Sequence, residues 1–196
     1  VPNADQADTD EDGIGDVCNG SITGSDCDTS VDPDAYPSGT DISNLFEGVA
    51  LSAQGSSIYS VNASQSGWTA STGVNIFGVS PNSGYSSDST ISVSFTNPIS
   101  CVSIDIIPDD SSDPATLIAY SQNGVDEIQR ITTIGNSGSG IPETARINRS
   151  VPDIYSISIP SSGQTRALDN LLFSSINNYS NLSGDLSAGV EPGESV

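Results

Sequence analysis

Apolar and polar positions alternate through the middle of the chain. Ile91, Val93 and Phe95 take turns with Ser92 and Ser94, and Val102, Ile104 and Ile106 with Cys101, Ser103 and Asp105. A period of two is that of a strand with one buried face. Runs at 44–52, 57–61, 74–79, 115–121, 125–132, 144–149, 154–159 and 166–174 read as further strands. Breakers separate most of them, among them Gly55, Ser66-Gly67, Pro81-Asn82, Asn97-Pro98, Pro108-Asp109-Asp110, Gly138-Ser139-Gly140 and Pro160. Asn123-Gly124 between two apolar runs predicts a hairpin. About ten short strands without a helical period predict an all-β fold, an antiparallel β-sandwich.

Both flanks lack this pattern. Residues 1–41 hold 11 of the 25 acidic residues, and residues 42–175 hold another 11 over more than three times the length. The expected organisation is an acidic arm over 1–41, a sandwich over 42–175 and a Ser/Gly-rich tail over 176–196. The arm has too few apolar residues to build a core, so its order must come from something other than hydrophobic burial, such as metal and disulfide. In the tail, a weak alternation at Leu182, Leu186 and Val190 would let it pack on its own domain or add as a strand to a neighbour.

Charge narrows the chemistry. Four Arg against 25 acids, with no Lys or His, give a net charge of −21. No His-based triad, Schiff-base lysine or His-ligated zinc can exist here. Such a surface repels nucleic acid and anionic lipid, and it suits a hard cation held by oxygen ligands. No run approaches the ~18–20 apolar residues of a membrane-spanning helix, so membrane insertion is not expected. A start at Val1-Pro2 without Met reads as a processed or excised segment. Abundant Ser, Thr, Asn and Asp with no Lys suits an extracellular or cell-surface protein.

The acids of the arm are spaced. Asp8, Asp10, Asp12 and Asp16 stand at loop positions one, three, five and nine, Gly13 at six and the Ile14 carbonyl at seven. This spacing wraps oxygens around Ca²⁺, with Asn19 at position twelve where an EF-hand has Glu. The run PNADQADTDEDGIGDVCN, residues 2–19, closely resembles a thrombospondin type 3 repeat. The resemblance implies that Asp8, Asp10, Asp12, Asp16 and the Ile14 carbonyl bind Ca²⁺, and that Asn3 and Asp5 help hold a neighbouring ion. Asn19 replaces that family's final Asp. The next segment, from Gly24 to Gly39, is similar to a short metal-binding repeat of bacterial surface proteins, with Asp26, Asp28, Asp32 and Asp34 at its acid positions. A rigid Pro-bounded linker carrying scattered acids would look alike.

Cys18 and Cys27 lie either side of the junction between these motifs, and in an oxidising compartment they are expected to pair, contributing roughly 2–3 kcal/mol. Cys101 is then left as a small strand residue.

The opening Phe46-Glu47-Gly48 and closing Asp169-Asn170-Leu171 segments resemble jelly-roll carbohydrate-binding modules. There the first and last strands hold a structural Ca²⁺, which makes Glu47 and Asp169 candidate ligands. Read from the residues alone, Glu47 is a solvent-facing strand residue and Asp169 caps a turn. Trp68 and Tyr85 sit in Ser/Gly loops and are the candidate sugar-stacking aromatics, although a loop Trp also commonly plugs a sandwich end. Asp105, Asp109, Asp110 and Asp113 offer a carboxylate pair, but 108–114 reads as a solvated turn, and no His or Lys exists to activate a serine. The expectation is a non-enzymatic, calcium-binding structural or adhesive protein that associates with copies of itself, into filaments if the contacts do not close. The second expectation is a polysaccharide-binding module with structural calcium.

Overall fold

The computed structural model describes residues 27–84, 89–109, 114–135, 140–161 and 166–174. Its strands are β1 (Thr29–Val31), β2 (Val49–Ala53), β3 (Tyr59–Asn62), β4 (Asn75–Ser80), β5 (Ser83–Gly84), β6 (Ile91–Ile99), β7 (Cys101–Pro108), β8 (Thr116–Tyr120), β9 (Glu127–Thr132), β10 (Glu143–Asn148), β11 (Ile154–Ile159) and β12 (Arg166–Phe173). They form two antiparallel sheets. The seven-stranded sheet runs β10-β7-β12-β4-β3, with β1 paired to β12 and β5 to β4. The five-stranded sheet runs β2-β6-β11-β8-β9. The expected all-β sandwich is what the chain forms.

Alternation explains how the layers meet. In β6 the residues Ile91, Val93 and Phe95 are buried, while the serines between them face out. The core joins Phe77, Ile104, Ile106 and Leu168 of the larger sheet to Leu51, Val93, Leu117 and Ile157 of the smaller one. Phe95 and Phe173 meet across the interface with ring centroids 5.4 Å apart and planes tilted by 43°, a separation within the range of favourable aromatic pairs. The Asn123-Gly124 hairpin joins β8 to β9. Asn123 Oδ1 accepts from the N–H groups of Val125 and Asp126 at 3.0 and 2.9 Å, and Gly124 takes a positive φ of 68° that a side chain would resist.

The structure departs from the expectations at four places. Thr29–Val31, assigned to the acidic arm, is a strand of the sandwich, in register with Leu171–Phe173 of β12. The strand expected over 44–52 begins at Val49, because Ile42 to Gly48 forms turns on the sandwich. Asn97-Pro98 does not end β6. The strand continues to Ile99, and the pair sits where its register with β11 shifts between Ile154 and Ser156. Such a bulge is where a sheet tolerates proline.

The fourth departure concerns the cysteines. Cys27 is bonded to Cys101, not to Cys18, with Cα atoms 5.4 Å apart. The pairing of β1 with β12 carries Cys27 to the start of β7, so the expected short loop gives way to a cross-link over 74 residues. Cys18 lies outside the described residues. At the same end of the sandwich the Ser174 N–H donates to the Cys101 carbonyl at 3.0 Å. Cys27 and Ser174 therefore both stand against Cys101 at one end of the sandwich.

Two sheet edges are covered by the chain itself. Residues 39–42 run beside β3, with Ser60 N–H donating to Thr40 O at 2.9 Å and Ile42 N–H to Ile58 O at 2.8 Å. Beside β2, Leu51 N–H donates to Ser43 O at 2.8 Å. The opposite edges, β9 and β10, have no strand on their outer side among the described residues.

Candidate functional site

The outer face of the larger sheet is sealed. Ala63, Ile76, Ile107 and Ala167 form a small apolar cluster there, and Trp68 and Ala70 pack onto it half-buried. Trp68 is thus held against the outer face of the larger sheet and not at an end of the sandwich. The loop that follows is pinned by carboxylates. Asp169 is fully buried, and its Oδ2 accepts from the Ser71 and Thr72 N–H groups at 2.8 and 2.9 Å. The Ser71 and Thr72 hydroxyls add 3.0 and 3.3 Å bonds. Asp34 Oδ1 accepts from the Val74 and Asn75 N–H groups, both at 2.8 Å. A Cβ at Gly73 would run into that carboxylate, so the residue between the two grips is a glycine for lack of space.

Asp105 stands opposite Asp169 in the β7–β12 register. Thr144 Oγ1 donates to one of its oxygens at 2.6 Å and Asn170 Nδ2 to the other at 3.0 Å. Like charges facing across strands repel, and this collar of donors offsets the repulsion. Burial raises the Asp169 pKa, against the lowering by its hydrogen bonds to Thr72, Asn170 and Ser71. Asn170 itself adopts a left-handed φ of 50°, beside the register shift between Asp169 and Leu172.

The other expected metal ligands divide between described and undescribed parts. Asp28 is exposed and accepts from the Thr29 hydroxyl at 3.2 Å. Asp32 caps the single turn of 3-10 helix at Pro33–Ala35, taking the Asp34 N–H at 2.8 Å. Glu47 is exposed in the turn before β2. Among the described residues, no three His, Cys, Asp or Glu side chains lie together as a metal cage. Asn3, Asp5, Asp8, Asp10, Asp12, Ile14, Asp16, Asn19, Asp26 and Tyr85 lie outside the described residues.

The outer face of the smaller sheet is open. A groove of about 510 Å³ runs over β2, β6, β11 and β8. Its floor is built by register. Ser52, Ser92 and Ser158 form one cross-strand row, and Ala50, Ser94, Ser156 and Tyr120 form the next. Neighbouring strands lie ~4.8 Å apart, so the hydroxyls recur at about that interval. Tyr120 stands at the β8 side with its hydroxyl 3.1 Å from Ser158 Oγ. No charged side chain lines the groove. The nearest charges along these rows are Glu127 and Arg130 on β9, which neutralise each other at 2.6 Å. The face offers donors and acceptors in a grid, one half-buried aromatic ring and no carboxylate to act as acid or base.

Comparison with known proteins places the architecture. No protein-family model matches the chain, and no curated protein does. Among solved structures it is similar to the K2 cleaved adhesin domain of Lys-gingipain, with 10% identity, a TM-score of 0.50, and coverage of 75% of this chain and 99% of that one. It is also similar to a mutant of the family 29 carbohydrate-binding module CBM29-2, at 11% identity and a TM-score of 0.38, covering 69% of this chain and 88% of that one. A family 29 module from Piromyces equi matches at 8% identity and a TM-score of 0.34, over 66% of this chain and 83% of that one. These likenesses are of fold.

Proposed function

We propose that this chain is a non-catalytic extracellular binding module whose groove on the five-stranded sheet holds a neutral polysaccharide. The observation that carries the reading is the uncharged hydroxyl floor, Ser52, Ser92, Ser94, Ser156 and Ser158, on a protein of net charge −21. Serine hydroxyls both donate and accept, as sugar hydroxyls do. Tyr120 supplies a ring face for stacking. An anionic ligand would be repelled by the protein as a whole, and a cationic one would find no carboxylate in the groove. The Cys27–Cys101 bridge supports an oxidising, extracellular setting. In the same reading the acidic segment before Cys27 binds Ca²⁺ through Asp8, Asp10, Asp12 and Asp16, and orders the approach to the sandwich.

The test is affinity electrophoresis and calorimetry against neutral and anionic polysaccharides. Tyr120→Ala and Ser92→Arg should each remove binding to the neutral polymer while leaving the circular dichroism unchanged. Retained binding in both variants would move the site off this face.

A further inference from the structure

We infer that Asn62 and Asn148 are acceptor sites for N-linked oligosaccharide. Each opens an Asn-x-Ser tripeptide with no proline between, Asn62-Ala63-Ser64 and Asn148-Arg149-Ser150, the pattern that an oligosaccharyltransferase modifies on exported chains. Serine is common enough here that the tripeptide alone says little, so the state of the two amides carries the inference. Asn148 ends β10 and is exposed, as is Ser150. Its Oδ1 accepts from Arg146 Nε at 3.1 Å. Asn62 ends β3, is half-buried and caps the 3-10 turn at Ala63–Ser66. Its Oδ1 accepts from the Ser64 N–H at 3.1 Å and from the Ser64 hydroxyl at 2.6 Å. A guanidinium and a backbone N–H can only donate, so they fix which end of each amide is the oxygen. In both residues the oxygen is held, and Nδ2 makes no hydrogen bond among the described residues.

Three other asparagines use that nitrogen inside the fold. Asn75 Nδ2 donates to the Tyr36 carbonyl at 3.1 Å, Asn123 Nδ2 to Asp126 at 2.6 Å and Asn170 Nδ2 to Asp105 at 3.0 Å. None of the three has Ser or Thr two places on. A sugar there would compete with a bond of the fold, whereas at Asn62 and Asn148 it displaces none. The step is a substitution at an anomeric carbon. Nδ2 attacks C1 of an oligosaccharide carried on a lipid pyrophosphate, the C1–O bond breaks, the lipid pyrophosphate leaves, and Nδ2 gives up one proton to the transferase. The two sites end the strands at opposite edges of the seven-stranded sheet. The strands that line the groove, β2, β6, β8 and β11, carry one asparagine, Asn97, and Pro98 follows it. The inference rests on the extracellular setting proposed above and not on what the groove binds.

Tandem mass spectrometry of the chain recovered from the cells that make it is the test, after an amidase has cut sugar from Nδ2 in heavy-oxygen water. The amidase leaves an oxygen label wherever an asparagine bore a sugar, which separates glycosylation from spontaneous deamidation before the treatment. Label is expected at Asn62 and Asn148 and not at Asn75, Asn123 or Asn170. Ser150→Ala, at an exposed position, should remove the label from Asn148, keep it at Asn62 and leave the melting midpoint of the sugar-free protein unchanged. Ser150→Thr should keep both. Either asparagine unlabelled in the wild-type chain overturns its assignment, and label at Asn148 that survives Ser150→Ala overturns the role of the tripeptide.

Discussion

Asp34 and Asp169 hold the two halves of one loop. They are 135 positions apart in the chain (169 − 34), yet Asp169 binds the N–H groups of Ser71 and Thr72 and Asp34 binds those of Val74 and Asn75. Four backbone donors are satisfied by two carboxylates, with Gly73 between them. The loop in turn follows the segment that seats Trp68 over Ile76 and Ile107.

Removing the deeper grip should be costly. Asp169→Ala strands two backbone N–H groups and two hydroxyls, at an expected cost of about 2–4 kcal/mol. Asp169→Asn keeps an acceptor oxygen and should cost less. Urea denaturation measures both, and Trp68 fluorescence should shift in the Ala variant as the loop loosens. Equal losses for Asn and Ala would show that the carboxylate oxygens are not what holds the loop.

Acid should act on two aspartates in opposite senses. Bonds from the Ser43 hydroxyl, then the Ser57 hydroxyl and the Ser43 N–H, lower the Asp41 pKa. Its contribution is present above the unfolded-chain pKa and is lost as pH falls through the folded one. Burial raises that of Asp169, so its contribution is complete below the unfolded value and is lost as pH rises through the folded one. Melting midpoints against pH should therefore show a flattened acid limb for Asp41→Asn. The deficit of Asp169→Asn should shrink as pH rises through the folded Asp169 pKa.

Reduction of the Cys27–Cys101 bridge should destabilise the sandwich. Closing 74 residues corresponds to about 4 kcal/mol by the chain-entropy estimate, within a usual range of ~2–5 kcal/mol. Thermal melts with and without reductant, and Cys101→Ser, give the number. Peptide mapping of the non-reduced protein should recover the Cys27–Cys101 linked peptides.

Calcium should be read by the arm and not by the sandwich. Titration calorimetry is expected to find binding at roughly 10⁻⁴–10⁻³ M. Asp12→Ala should weaken it more than Asn19→Ala, because a charged ligand is lost. Chelation should leave the melting of the core nearly unchanged, since Cys27–Cys101 and the inter-sheet contacts hold it together. A large loss of core stability in EDTA would place an ion within the sandwich.

Strands and layers were legible because each announces its own period, as Ile91 to Phe95 does. The groove was not. Ser52, Ser92 and Ser158 each read as a solvent-facing serine on its own strand, and only the β2–β6–β11 register makes them a row. The cysteine partner was hidden for a related reason. Thr29 to Val31 is too short to show a period, yet its pairing with β12 decides where Cys27 goes. Asp34 and Asp169 were visible as acids, but the backbone amides they accept from belong to a loop some forty residues from one and a hundred from the other.

The shared anchorage of Cys27 and Ser174 on Cys101 also sets how the module meets a pull. Tension applied between the two flanking segments does not run the length of the sandwich. It enters through the sulfur bridge at one side and through Ser174 at the other, so the end of β12 is drawn from β1, where Thr29 faces Phe173. It then reaches the β7–β12 ladder at its end, where Val102 faces Phe173. An antiparallel ladder gripped at one end parts rung by rung, as a zip does, whereas one dragged lengthwise resists with all its rungs together. The module is thus built to yield from one corner under stretch while the far end of both sheets, and the groove on the smaller one, carries no strain until the first rungs have gone.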